Sequence, residues 1–170
     1  MSGHSKWKTI KHKKEAKDQK RSQTFSKILS TISAAARDGT DPKFNSQLKS
    51  LIDKARASNV PNDNIKRAIE GSKNKNLKEL LIEAYGPGGV AMLIEAITDN
   101  SNRTIAEVRH LLNKHNCKMA EPGSVQWAFE DSVSKFPQEI SSKEKDSLNK
   151  MIDILEGHPD VQKIITNAKK

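Results

Sequence analysis

Lysine and arginine side chains strung along a segment with almost nothing apolar suit one kind of chemistry, the neutralising of successive phosphates. This chain opens that way. Met1 to Lys27 carries Lys6, Lys8, Lys11, Lys13, Lys14, Lys17, Lys20, Arg21 and Lys27 against Glu15 and Asp18, interleaved with His4, Trp7, His12 and several hydroxyls. Such a segment cannot bury enough surface to fold alone, and its like charges repel. Residues 1–21 are therefore expected to be an arm that settles on a polyanion, nucleic acid foremost. Its candidate contacts are His4, Lys6, Trp7, Lys8, Lys11, His12, Lys13, Lys14, Lys17, Lys20 and Arg21. The bland alternative is a solvated terminus with no partner; the mixture Gly3-His4-Ser5-Lys6-Trp7 argues against it.

Other groups invite a chemical reading and mostly decline it. Glu83, Glu95 and Asp99 imitate a general acid/base set, but no nucleophile–base pair accompanies them, so no catalysis is expected. His110, His115 and Cys117 match no zinc spacing and lack a second ligand pair, so neither metal nor cofactor is expected. Gly86-Pro87-Gly88-Gly89 precedes a strand rather than a helix, which makes it a turn and not a phosphate cradle. Asp99-Asn100-Ser101-Asn102-Arg103-Thr104 is more polar than a strand–helix joint requires. Arg103 there can reach a phosphate or pair with Asp99, and the two readings weigh equally. Met119-Ala120-Glu121-Pro122-Gly123-Ser124 is a turn able to present residues to a partner. Asn102, Arg103, Arg109, Met119, Gly123 and Ser124 are the candidate partner contacts.

The elements that hold these groups follow from periodicity. Phe25, Ile28, Leu29, Ile32 and Ala36 recur at helical spacing and end before Gly39. Asp41-Pro42 reads as the start of a second helix with the stripe Phe44, Leu48, Leu51, Ile52 and Ala55. A third, short helix runs from Pro61-Asn62 to Gly71. Lys66 and Arg67, with Arg56, lie on the polar side of this bundle; they extend the arm's footprint or form an ordinary solvated face. The bundle covers 22–71, a linker 72–78, and a second domain 79–170.

In that second domain Leu80–Tyr85 and Val90–Thr98 alternate or run apolar as strands around the glycine turn. A helix from Asn102 to His115, a strand over Val125–Phe129 and an edge strand over Ser134–Ile140 follow. Ser141 and Glu144 form a capping box for a helix closed by Gly157, and Val161–Thr166 is a last strand. The fold class is α+β: arm, three-helix bundle, then a ferredoxin-like β-α-β-β-α-β domain with an extra leading strand. It is not an RNA-recognition motif, because its central strands lack stacking aromatics, and core packing is the simpler role for Trp127 and Phe129.

Charge divides with the domains. Residues 1–78 are net +12 and residues 79–170 net −3, so affinity for nucleic acid should reside in the first part. The single cysteine precludes an internal disulfide and fits a reducing cytoplasm, and no run approaches a membrane span. The expected partners are duplex DNA or ribosomal RNA on the ribosome, with no membrane, no small-molecule substrate and a monomeric state.

Gly3-His4-Ser5-Lys6-Trp7, Phe25-Ser26-Lys27-Ile28, Tyr85-Gly86-Pro87-Gly88-Gly89, Asp99 to Thr104 with Glu107-Val108-Arg109-His110, and Gly123-Ser124-Val125 together resemble the YebC/PmpR family. The tail, Met151 to Glu156 and Asp160-Val161-Gln162, looks like the family's C-terminal end. The resemblance implies a departure too: typical members carry a further domain after the strand matching Val125–Phe129, and here Glu130-Asp131-Ser132 bridges directly. It also implies a regulator of gene expression, non-enzymatic and cytoplasmic. The family is labelled as probable DNA-binding transcriptional regulators. Some relatives are translational activators or are connected to ribosomes stalled in elongation, which makes a ribosome-associated translation factor the alternative. By resemblance, Gly3 to Lys14 and the Gly123-Ser124-Val125 loop are the contact candidates.

Overall fold

A computed structural model describes the backbone of residues 3–169 and the side chains from Lys14 onward, Ala16 excepted. The chain is α+β, as expected, and forms two compact units that divide between Ser72 and Lys73.

The first unit is helical: α1 (Gly3–Ala35), α2 (Ser46–Ala57) and α3 (Asn62–Glu70). The break expected at residue 21 is absent, because α1 runs without interruption through the basic segment into the bundle. The physical reason is propagation. Lys, Arg, Gln, Glu and Ala are strong helix formers, no Gly or Pro interrupts residues 4–38, and the packed half of α1 supplies the costly nucleus. That packed half, with Ala36 just after it, buries Ile32, Ala35 and Ala36 against Leu48, Ile52 and Ala55 of α2 and Ile65 and Ala68 of α3. Each fully buried Ile or Leu here is worth about 1.5–3 kcal/mol. Ser33 Oγ donates to the Ala68 carbonyl at 2.9 Å and ties α1 to α3.

The start expected for α2 at Asp41-Pro42 is corrected to Ser46. Asp41 instead accepts from the Lys43 amide at 2.9 Å, an Asx turn. Asn45 is the cap, accepting from the Leu48 amide at 2.9 Å while its Nδ2 donates to the carbonyls of Ala35 and Gly39, both at 2.9 Å. One side chain thus closes the end of α1 and opens α2. Phe44, expected in the core stripe, falls before the helix and is 90% exposed.

The second unit is built on the antiparallel hairpin of β1 (Lys78–Tyr85) and β2 (Ala91–Thr98). Then come α4 (Ser101–Lys114), β3 (Lys118–Met119), β4 (Phe129–Glu130), β5 (Val133–Ser134), α5 (Ser142–Glu156) and β6 (Val161–Thr166). The main sheet has the order β3-β1-β2-β6, and β4-β5 form a separate two-stranded ribbon. The ferredoxin-like expectation is therefore corrected in its pairing. From β2 onward the β-α-β-β-α-β succession is present with β3 added, but the middle pair does not join the sheet. The extra leading strand, β1, lies at the sheet's centre instead. Val125–Phe129 is not a strand: Gln126–Ala128 forms a 3-10 turn ahead of β4. The expected edge strand over 134–140 shrinks to Ser134 in β5 and one bridge between Gln138 and Ala168, since Pro137 has no N–H to offer a ladder. Asp131 and Ser132, at φ 48° and 64°, make the two-residue turn between β4 and β5, where both turn residues need positive φ.

β2 is covered on both faces, so its run Ala91–Thr98 is mostly apolar rather than alternating, Glu95 and Thr98 being the exceptions. On one face Met92 and Ile94 join Val108 and Leu112 of α4 and Leu148, Met151 and Leu155 of α5. On the other, Ala91 and Leu93 meet Val125, Ala128 and Ile165. The glycine turn earns its composition by packing: Gly88 has φ 67°, and a Cβ there would stand 2.6 Å from Ile140 Cγ2. The Ser141–Glu144 capping box opens α5 as expected.

Candidate nucleic-acid interface

On α1 the side chains of Lys14, Lys17, Lys20 and Arg21 are all exposed. Lys14, Lys17 and Arg21 recur at i, i+3 and i+7, which places them on one face of the helix, and Lys20 stands three residues from Lys17. Arg21 is anchored as well as exposed, its guanidinium carbon 5.2 Å from the Phe25 ring centre while Phe25 packs on the bundle core. The side chains of His4, Lys6, Trp7, Lys8, Lys11, His12 and Lys13 lie outside the described residues. On α3, Lys66 pairs with Glu70 at 3.8 Å, and Arg67 donates to Asn64 Oδ1 at 2.6 Å and to the Asp63 carbonyl. Both remain exposed, each with a partner inside α3.

In the second unit the partner candidates fall into two places. Asn102 and Arg103 sit in the first turn of α4, which Asn100 caps by accepting from the Arg103 amide at 3.1 Å. Arg103 is an internal tie. Its Nη2 donates to Asp99 at 3.0 Å, Asp160 at 3.0 Å and Thr98 Oγ1 at 3.2 Å, so the ion-pair reading of this segment is the one the geometry takes. Arg109 lies in the second half of α4, and Met119, Gly123 and Ser124 follow its C-terminal end, in β3 and the loop after it. There Arg109 donates to Met119 Sδ at 3.7 Å.

The loop 120–128 has an organiser that the sequence reading passed over. Alternation along β1 turns Ile82 and Ala84 to the helical side and Glu83 to the other, where it is 3% exposed. Its carboxylate accepts from the amides of Gly123 (2.5 Å) and Val125 (2.7 Å) and from Gln126 Nε2 (2.7 Å). Burial opposes the charge, yet these donors outweigh it and hold the carboxyl below its ordinary value. The Ser124 carbonyl accepts from both Tyr85 Oη (3.0 Å) and Trp127 Nε1 (2.8 Å). Trp127, expected in the core, is 58% exposed with its ring centre 5.6 Å from that of Phe136. The signal available in sequence was Glu83 itself, an acid in the middle of an apolar strand.

The remaining reactive groups are engaged structurally. Burial pushes the Cys117 thiol up, away from the thiolate that metal binding or nucleophilic attack needs. Glu107, His158 and Asp160 bring ligand atoms within 4.8 Å of one another. The Asp160 amide donates to His158 Nδ1 at 3.2 Å, which leaves the neutral ring's proton on Nε2, facing Glu107 at 2.9 Å. Partial burial disfavours the charge of Asp160, but Thr104, Arg103 and Thr98 hydrogen bonds prevail and keep its carboxyl below the usual range.

Comparison with known proteins fits this arrangement. Residues 5–75 match the model of the TACO1/YebC protein N-terminal domain, and residues 77–134 that of the TACO1/YebC second and third domain. A relative from Koribacter versatilis, named as a probable transcriptional regulatory protein, is 45% identical over 157 residues, covering 90% of this chain and 63% of the relative. Relatives of the same name from Kosmotoga olearia and Chloroflexus aggregans are 51% and 52% identical over 135 and 136 residues, in each case 76% of this chain and 54% of the relative. The chain thus spans somewhat more than half the length of these curated relatives. The crystal structure of a conserved hypothetical protein from Aquifex aeolicus superimposes with a TM-score of 0.82 over 88% of this chain and 90% of that one; at 24% identity it shows a shared fold. With both domain models matched in order from residue 5 to residue 134, the chain belongs to the TACO1/YebC family.

Proposed function

We propose that this protein is a non-enzymatic regulator of gene expression that acts by binding nucleic acid through its first unit. The observation that carries the reading is the exposed cationic face of α1, Lys14, Lys17, Lys20 and Arg21. A helix presenting cations at that spacing suits the phosphate backbone, which supplies affinity without sequence. The name shared by the relatives favours a transcriptional role on duplex DNA. No described helix is long and apolar enough to cross a membrane, and a monomer in the cytoplasm completes the reading.

One observation favours a second target, structured ribosomal RNA in a translational role. Reading base edges needs unengaged Arg, Asn or Gln on a helix. On α3 those groups are Asn62, Asn64 and Arg67; Asn64 and Arg67 are bonded to each other, and Asn62 Oδ1 accepts from Arg56 Nε at 3.4 Å. Recognition mainly by phosphate and shape is how double-stranded RNA is bound.

The deciding experiment is sedimentation of a cell lysate near physiological salt, with and without DNase. Migration with ribosomes that survives DNase and fails on replacing Lys14, Lys17, Lys20 and Arg21 by Gln assigns the RNA target. Release by DNase, with duplex DNA still retarded by the pure protein, assigns DNA. Failure of the pure protein to bind either polymer refutes the proposal.

A further inference from the structure

Phe44 is the most exposed large apolar side chain among the described residues, at 90%. Its exposure is built in. The Phe44 amide donates to the Asp41 carbonyl at 3.1 Å, closing a turn that the Asp41 side chain also braces through the Lys43 amide. On the other side Asn45 is pinned by three hydrogen bonds, to Ala35, Gly39 and Leu48. A ring carried between two such anchors stays in solvent because the backbone on both sides is fixed, and not because a loose loop happens to swing outward.

Its surroundings say what it meets. The shallow cleft beside the turn is lined by Pro42, Lys43, Lys49, Ile52, Asp53 and Arg56. Arg56 is shared with Asp53 at 3.8 Å, whereas Lys43 and Lys49 have no carboxylate within 4.0 Å among the described residues. A protein-binding hot spot would set an aromatic residue inside an apolar ring. Here the exposed residues on either side in sequence are Asp41, Lys43, Ser46 and Gln47, so no other exposed apolar residue adjoins the ring along the chain. An aromatic face flanked by cations is the arrangement that binds single strands: the ring stacks on a base and the ammonium groups take the phosphates. Bases within a duplex are already stacked and cannot use it.

We propose that Phe44 is a stacking platform for an unpaired base of a single-stranded nucleic acid, with Lys43 and Lys49 on the adjoining phosphates. This rests on the nucleic-acid reading above and adds to it a preference for unpaired segments, at a place separate from the cationic face of α1.

The test compares the full chain with its Phe44→Ala and Phe44→Tyr variants by fluorescence anisotropy. The probes are a single-stranded 12-nucleotide RNA and a duplex of the same sequence. Phe44 lies outside the bundle's core, so circular dichroism and melting should be unchanged in both variants. Phe44→Ala is expected to weaken single-strand binding by roughly 5- to 150-fold, the range for loss of one base–aromatic stack. Duplex binding should stay the same, and Phe44→Tyr should restore the single-strand affinity. Unchanged single-strand affinity in Phe44→Ala, with the native chain binding both probes, overturns the inference. Absence of binding to either probe by the native chain overturns the functional reading itself, and this inference with it.

Discussion

Glu83 shows how one side chain positions a loop it does not belong to. The 120–128 loop covers the second face of the sheet with only Val125 and Ala128 fully buried, too little apolar surface to fix its path. The carboxylate supplies what is missing by gathering the amides of Gly123 and Val125 and the Gln126 amide group. Replacing it by Gln puts an NH2 group against N–H donors, and hydrogen bonds to a charged acceptor are worth about 1.5–3 kcal/mol each way. Glu83→Gln should therefore destabilise the second unit by about 2 kcal/mol in denaturant titration, and it should release amide-exchange protection at Gly123 and Val125. The pH dependence has the same origin. The folded carboxyl sits below its reference value of 4.5, so its contribution is fully present above that pH and is lost as pH falls through the lower folded value. Asp160 acts in the same direction from its reference of 3.8. Acid should thus loosen the second unit, and Glu83→Gln should flatten the part of that response that begins near pH 4.5.

At the scale of elements, Asn45 determines where α2 begins and where α1 is closed. Asn45→Ala removes the cap on Leu48 and both Nδ2 bonds, and should cost the first unit about 2 kcal/mol. Asn45→Asp keeps the cap but loses both donors, so its thermal midpoint should fall between those of the native chain and the Ala variant. Asp41-Pro42 looked like the helix start because an acid followed by proline has the right local chemistry. Asn45 won because only from there can one amide reach Ala35, Gly39 and Leu48 together, which is tertiary information. The same division holds elsewhere. The helices with caps inside their own sequence, α4 behind Asn100 and α5 behind Ser141, were legible, as were the long strands β1, β2 and β6. Short pieces were not. Val125, Trp127 and Phe129 alternate like a strand, yet the loop's hydrogen bonds to Glu83 and the Tyr85–Ser124 tie bend the chain into a 3-10 turn. The candidate contacts on α1 were legible by composition alone, since exposure of a cation needs no tertiary partner. The Arg103–Asp99 pair was one of two readings open to sequence, whereas the tie from Arg103 to Asp160, which the chain brings in only on folding, was not.

Charge is the property that belongs to the molecule as a whole, and it is unequally shared: net +12 over residues 1–78 and −3 over 79–170. A duplex should therefore meet the first unit and be repelled by much of the second. Because binding a phosphate releases condensed counterions, the logarithm of affinity falls with the logarithm of salt by about 0.9 per contact on duplex DNA. Replacing Lys14, Lys17, Lys20 and Arg21 together by Gln removes four contacts and should make the slope shallower by about 3.6. Replacing Lys66 and Arg67 should change it less, because those groups keep Glu70 and Asn64 as acceptors. The measurement is a series of duplex titrations between 50 and 200 mM salt, a range over which about six or more contacts alter affinity a thousandfold. An unchanged slope in the fourfold variant would remove the α1 face from the interface, whatever the absolute affinity. A slope that shallows by the full amount would place all four cations on phosphates at once. A single straight helix face then follows the duplex backbone, because Lys14, Lys17 and Arg21 can reach it together only from one side of α1.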